Sequence, residues 1–275
     1  LRQAAFGSIL RIIPVESAKT MPLELITVPC LADNYAYLVH DRASGRTAVI
    51  DVPEAGPILG ALDAHRWRLT DILITHHHDD HIQGVETLRA RTHARVWGAA
   101  ADTLRLPRLD ETLAEGSRFQ IGSEEVLVIE APGHTIGHIA FLMPTSGYAF
   151  TADSLMAGGC GRLFEGTARQ MHATMQKFAA LLPEMLICSG HEYTAANLRF
   201  AATLEPDNPA LILRIAEVAT LRAQGRPTLP VKLEVELATN PYLRVHLPAL
   251  KAAVGLGGAD DATVFAEIRA RKDKF

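Results

Sequence analysis

The sequence predicts an α/β protein: a mixed body of strands and helices followed by a helical segment. Three observations carry that prediction. Short β-branched and aromatic runs alternate with stretches of helical periodicity from Met21 to His191. Beyond His191 helical periodicity continues, with no convincing strand between the helices. The chain has 275 residues, 48% of them hydrophobic, enough for one large domain or one medium domain with an appendage.

The first twenty residues, LRQAAFGSILRIIPVESAKT, carry no starting Met and are expected to be an extension upstream of the fold. A targeting peptide is the alternative, because Arg2, Arg11 and Lys19 stand against a single Glu16. From Met21 the runs LELITVP, YAYLVH and TAVIDV, separated by CLADN and RASG, read as strands joined by turns. AGPILGALDAHRW spaces Ile58, Leu59, Leu62 and His65 as a helix does. TDILIT is a short continuous apolar run, the mark of a strand buried on both faces. GVETLRARTH reads as a helix, and ARVWG, EEVLVIEA, HIAFLMP and GYAFTAD as strands. TARQMHATMQKFAALLP is an amphipathic helix, followed by the buried strand EMLICSG. After His191 come three helical stretches, EYTAANLRFAATL, NPALILRIAEVATLRAQG and ADDATVFAEIRARKDKF. Asn208 before Pro209 is a good N-cap with proline at the first helical position, and Gly225 suits the C-terminal end.

Composition excludes some classes of function. Lys and Arg number 27 against 31 Asp and Glu, so no broad basic face for nucleic acid is expected. Cys30, Cys160 and Cys188 lie far apart without CxxC spacing. That argues against a disulfide framework and favours a reducing compartment, the cytoplasm. No apolar run approaches the roughly 18 to 20 residues of a membrane span.

The chemistry is concentrated in ILITHHHDDHIQG, which sets four histidines and two aspartates in six successive positions directly after an apolar strand. Any one of them could decorate a surface loop; six together ask for a ligand. In an extended segment residues i and i+2 point the same way, so His76 and His78 can reach one ion together. The chain must then turn before Asp80 and His81 face a second centre. Imidazole and carboxylate suit Zn(II), Fe(II) and Mn(II) without any thiolate. Further ligand types recur in the same setting: His134 in EAPGHTIGH, Asp153 in AFTADSL and His191 in ICSGHEY each follow an apolar run and a small residue. A strand-end Asp or His commonly caps a turn, but the recurrence points to strands converging on one edge.

At these residues the sequence resembles a known family. THHHDDH has the THxHxDH form of the metallo-β-lactamase superfamily, and His134, Asp153 and His191 match its later motifs in order. The more specific resemblance is to glyoxalase II, the hydroxyacylglutathione hydrolases. It runs through DNYAYLV, PGHTIGH, GCGRLFEGT, SGHEYT, ATNPYLR and RARKDKF, from Met21 to Phe275.

The resemblance implies an αββα sandwich over residues 21–192 and a helical substrate-binding domain over 193–275. It implies two divalent ions, zinc first with iron or manganese possible. His76, His78 and His134 would hold one and Asp80, His81 and His191 the other, with Asp153 bridging. The implied reaction is hydrolysis of S-D-lactoylglutathione by a metal-bridging hydroxide, with Asp80 and Asp153 in the catalytic set. Arg162, Tyr193, Arg269 and Lys272 match positions expected to meet the glutathione thioester. A monomer or weak homo-oligomer is expected, and the charge balance and run lengths above lead to no nucleic-acid or membrane partner.

Asp79 and Gln83 depart from the usual residues of the motif without removing a ligand. His77 is expected to point away, His138 to be a structural or surface histidine close enough to serve in an outer layer, and Asn34 and Tyr35 to support the fold. Cys160 has no base to make it a nucleophile. Three other readings compete: a lactonase, a β-lactamase or another thioesterase of the superfamily; a persulfide dioxygenase; and a non-catalytic scaffold tied together by metal. Asp153 in place of a cysteine argues against the zinc β-lactamases, and the complete second ligand set against a mononuclear dioxygenase.

Overall fold

The computed structural model describes residues 21–275, so the N-terminal extension lies outside the described residues. The first sheet follows chain order: β1 (Glu24–Cys30), β2 (Asn34–His40), β3 (Thr47–Ile50), β4 (Asp71–Leu73), β5 (Arg95–Ala99) and β6 (Glu111–Leu113). Strands β1 to β3 are antiparallel, in register Leu25↔Val39 and Leu38↔Val49. From β3 to β6 the pairing is parallel, and α1 (Ala55–His65) makes the crossover from β3 to β4. Two shorter helices, α2 (Asp79–Ile82) and α3 (Val85–Thr92), lead from β4 to β5.

The second sheet holds β7 (Arg118–Ile121), β8 (Glu124–Glu130), β9 (Ile139–Met143) and β10 (Tyr148–Ala152) as an antiparallel meander. The hairpin β11 (Leu155–Met156) and β12 (Gly159–Cys160) leaves the sheet, and α4 (Ala168–Ala179) returns the chain to β13 (Leu186–Ser189), parallel to β10. Thr167 starts α4 with a capping box, its hydroxyl taking the Gln170 N–H while the Gln170 side chain accepts from the Thr167 N–H. The two sheets pack through one core. Tyr37 of β2 meets Phe150 of β10 at a ring separation of 5.7 Å, and Trp97 of β5 stacks on Phe119 of β7 at 4.4 Å.

The helical region holds α5 (Thr194–Leu204), α6 (Pro209–Ala223), α7 (Leu233–Thr239), α8 (Pro248–Ala253) and α9 (Asp261–Lys274). Asn208 caps α6, its side chain accepting from Ala210 and Leu211 N–H, and Gly225 beyond the end takes φ +66°. One expectation is corrected. The region is not free of strands: β14 (Val231–Lys232) pairs antiparallel with β13 and extends the second sheet. A strand of two residues is too short for alternation to show in sequence. Strands β6, β7, β11 and β12 escaped for the same reason or through their polar composition.

Candidate metal centre

Loops from both sheets meet at one edge. His76 and His78 follow β4; His134 follows β8; Asp153 follows β10; His191 follows β13. The edge is stitched by backbone bonds between sheets: Tyr35 N–H to Gly190 O at 2.8 Å and Ile139 N–H to Thr75 O at 2.9 Å. Ala152 and Asp51 turn the chain there with φ of +40° and +58°, left-handed values that non-glycine residues adopt only where surrounding structure holds them.

The seven predicted ligand residues come together. His76, His78 and His134 each present a nitrogen within 4.8 Å of the others, and so do the donor atoms of Asp80, His81 and His191. Asp153, 5% exposed, lies between the two groups. Its Oδ1 is 3.4 Å from His81 Nε2, and its Oδ2 is 3.4 Å from both His134 Nε2 and His191 Nε2. Gly190 makes room for it, since a Cβ at that position would fall 2.4 Å from Asp153 Oδ1.

The outward nitrogens are occupied. His81 Nδ1 bonds Asp51 Oδ2 at 2.8 Å, His191 Nδ1 bonds Asp33 Oδ1 at 2.9 Å, and His134 Nδ1 bonds the Arg162 carbonyl at 2.8 Å. The Thr75 hydroxyl donates to Asp51 and so accepts from His76 Nδ1 at 3.0 Å. These partners put the ring protons on the outer nitrogens, leaving the Nε2 lone pairs of His76, His81, His134 and His191 turned inward. Inward they find one another: His78 Nδ1 lies 3.2 Å from His76 Nε2 and 3.0 Å from His134 Nε2. Converging lone pairs repel unless a cation sits among them. Asp153 Oδ1, buried without a hydrogen-bond partner, makes the same demand. The donor set therefore fits two divalent ions. Asp51 also approaches His76 and His81, but its oxygens already accept from the Thr75 N–H, the Thr75 hydroxyl and His81, so it orients rather than ligates.

The five imidazoles differ in proton affinity, and at His81 and His191 a cation would displace a proton. Burial holds His76, His78 and His134 below the ordinary imidazole value, so they stand neutral. Burial acts the same way on His81 and His191, but carboxylates outweigh it and raise both, Asp153 and Asp51 for His81, Asp153 and Asp33 for His191. Burial pushes the Asp153 carboxyl up, yet His81 and His191 hold it well below the usual range.

A cavity of about 730 Å³ opens over these groups, and the predicted substrate residues Arg162, Tyr193, Arg269 and Lys272 all line it. Arg162 is exposed. Tyr193 stacks on the His191 ring at 4.7 Å, and its hydroxyl is pushed up to about 12, first by burial and then by Asp33 and Asp153. Lys272 sits between the rings of Phe200 and Phe275 at 5.4 and 5.1 Å. Burial, followed by Arg269, Arg199 and Arg162, lowers its pKa. Arg269 is 6% exposed and largely committed: Nη1 donates to the Cys160 carbonyl at 3.0 Å, while Nε and Nη2 reach Asp273 Oδ1 at 3.1 and 2.8 Å.

The remaining expectations fall into place locally. His77 points away, its Nδ1 bonded to Asp102 at 3.0 Å. Gln83 ties the loop to the Pro53 carbonyl, and Asp79 is exposed. Tyr35 bonds Glu192; Asn34 does more than support the fold, holding the Asp80 carboxylate at 3.1 Å. His138 is fully buried and stacks on His76 at 4.7 Å. The Cys160 thiol is pushed up to about 11 by burial, which suits no nucleophile. Sequence reasoning missed Asp33, Asp51 and Thr75 as orienting groups, and Phe164, whose ring stands edge-on to His78 and His134 at 5.4 and 5.3 Å. Among the described residues no helix is long and apolar enough to cross a membrane.

Comparison with known proteins agrees with this fold. The chain matches the metallo-beta-lactamase superfamily over residues 33–191 and the hydroxyacylglutathione hydrolase C-terminus family over residues 192–275. It is 65% identical over 255 residues to the hydroxyacylglutathione hydrolase of Cereibacter sphaeroides, covering 93% of this chain and 100% of that protein. Among solved structures, the BLEG-1 B3 metallo-beta-lactamase superposes with a TM-score of 0.62 over 80% of this chain and 99% of that one. At 18% identity that likeness is one of fold. The protein TTHA1623, solved in a di-iron-bound form, is 26% identical with a TM-score of 0.54, over 61% of this chain and 91% of that one.

Proposed function

We propose that this chain, which belongs to the hydroxyacylglutathione hydrolase family, cleaves the thioester of S-D-lactoylglutathione to glutathione and D-lactate, with the site assembled as described. The observation that carries the reading is Asp153, whose two oxygens stand 3.4 Å from imidazole nitrogens of both ligand groups. A single carboxylate so placed joins two three-residue groups into one dinuclear cradle. His76, His78 and His134 would hold one ion, and Asp80, His81 and His191 the other. The ligand chemistry suits zinc, with iron or manganese also accommodated. A related protein binds two irons on the same fold.

Two divalent ions held by this cradle would supply a water of lowered pKa and polarise the thioester carbonyl. The protein's own part is binding, orientation and charge. Asp33, Asp51 and the Arg162 carbonyl lock three imidazoles in the tautomer that faces inward. Asn34 fixes Asp80 through both its carbonyl and its carboxylate, at 3.0 and 3.1 Å. Within the cavity Arg162 and Lys272 are the cations offered to the carboxylates of glutathione. Lys272 is held against two rings and crowded by three arginines, so an anionic ligand relieves that repulsion. Tyr193 keeps its hydroxyl proton at neutral pH, since its pKa is about 12, and remains a donor. The thiolate of glutathione leaves without a strong general acid, and no side chain in the cavity is asked to serve as one. Residues 21–192 then form the metal-binding domain and 193–275 the substrate-binding domain.

The test is elemental analysis alongside hydrolysis of S-D-lactoylglutathione. About two metals per chain with turnover of that thioester supports the reading. Two metals without turnover of any glutathione thioester would favour the scaffold.

A further inference from the structure

The helical region does more than close the cavity. We infer that it positions the metal centre through the hairpin of residues 155–160, with Glu236 of α7 and Asn240, which caps that helix, as the positioning residues. The inference rests on the reading that His134 and Asp153 hold metal. The hairpin begins two residues after Asp153 and ends two before Arg162, whose carbonyl fixes the His134 ring. Its own ladder is two residue pairs, Leu155↔Cys160 and Met156↔Gly159, too little to hold a shape by itself.

The Thr151 and Ser189 hydroxyls hold the Leu155 carbonyl at 2.8 and 3.0 Å, and helical side chains hold the residues that follow. Asn240 Nδ2 donates to the Met156 and Gly159 carbonyls at 3.1 and 2.9 Å. Asn197 of α5 donates to the Ala157 carbonyl at 3.1 Å, and the Gly158 N–H donates to Glu236 Oε2 at 2.8 Å. Arg269 of α9 donates to the Cys160 carbonyl at 3.0 Å. Every residue from Met156 to Cys160 is thus held by a side chain of α5, α7 or α9, or by the Asn240 that ends α7. Glu236 and Asn240 are linked to each other at 2.9 Å, and Tyr242 N–H bonds Asn240 Oδ1 at 3.0 Å. Glu236 is 1% exposed and Asn240 0%.

The hairpin transmits position because the next residue is wedged between two ligands. At Gly161 a Cβ would lie 2.0 Å from the Asp153 carbonyl oxygen and 2.9 Å from His134 Nδ1. A displaced hairpin therefore moves the Asp153 backbone and the Arg162 carbonyl together. Neither Glu236 nor Asn240 lines the cavity, so their influence on metal runs through this backbone.

The test is zinc affinity of the full chain, measured by competition with a chromophoric chelator. Glu236→Ala and Asn240→Ala each weaken zinc about tenfold, as loss of an orienting partner does. Glu236→Gln keeps an oxygen for the Gly158 and Asn240 N–H groups and restores wild-type affinity. Val218→Ala, in the separate apolar cluster around α6, lowers Tm without changing zinc affinity. If Glu236→Ala does not fold, Asn240→Ser carries the same comparison. Native zinc affinity in the alanine variants overturns the inference. So does an equal loss in Val218→Ala at equal Tm, or in Glu236→Gln. A wild-type chain that binds no divalent ion fails differently, by removing the metal assignment itself.

Discussion

Glu236 gives a prediction whose size can be worked from the structure without any metal. Its carboxyl is buried and its pKa raised to about 6 from an ordinary 4.5, by burial first, with bonds from Asn240 and Gly158 opposing. The folded state therefore holds the proton more tightly than the unfolded chain. Below the unfolded value both states are protonated and the contribution to stability is complete; it is lost as pH rises through the folded value. The difference of 1.5 pH units, taken as 6 − 4.5, corresponds to about 2 kcal/mol. Glu236→Gln cannot ionise and keeps the acceptor, so it loses nothing over that interval. The variant should match wild type near pH 4.5 and exceed it by about 2 kcal/mol above pH 7, or roughly 4–8 °C in Tm for a protein of this size. Urea unfolding from pH 4.5 to 7.5, with chelator throughout so that metal release does not enter, measures it. Parallel stability profiles for the two proteins would refute the argument, because they would mean that the carboxylate is not penalised by burial.

Three further outcomes are expected. Asp153→Asn keeps the volume but not the charge that faces both ligand groups; it should lose one of two metals on dialysis and about 10²–10³-fold in kcat, and full metal content with native turnover would remove the bridge. Gly190→Ala places a methyl group where only 2.4 Å separates it from Asp153 Oδ1, so it should lower zinc content and activity together, and native values of both would show that the carboxylate can move aside. Lys272→Ala should raise KM about tenfold for a glutathione thioester while leaving a small neutral thioester unchanged, as loss of one charge-assisted contact does; equal effects on both substrates would mean that the lysine does not read glutathione.

The candidate ligand set is legible in the sequence because most of its members follow an apolar strand, a local pattern, with Asp80 and His81 beyond it in α2. What sequence does not contain is the partition of roles among residues with that same pattern. Asp51 ends TAVID as Asp153 ends AFTAD, and nothing in either run tells them apart. The fold does: Asp51 faces Thr75 and His81 Nδ1 from outside, while Asp153 faces three Nε2 atoms from inside. Arg269 shows the same limit. Its place on α9 suits a substrate anchor, but in the fold Asp273 and the Cys160 carbonyl already engage its fork.

The edge itself is a product of long-range pairing. The Asn34↔His191 bridge joins residues 157 apart in sequence, and parallel pairing of β3 with β4 and of β10 with β13 brings their C-terminal ends to one side. Periodicity identifies each strand without saying which ends coincide. The short pieces are the least visible and among the most consequential. Neither β11 nor β12 exceeds two residues, yet the hairpin they form is the route by which a carboxylate on α7 and the amide that caps it bear on His134 and Asp153. A side chain that touches no ligand and no substrate has no motif to betray it. Its signal is a buried polar group bonded to another segment's backbone, and that becomes visible once the segments are placed side by side.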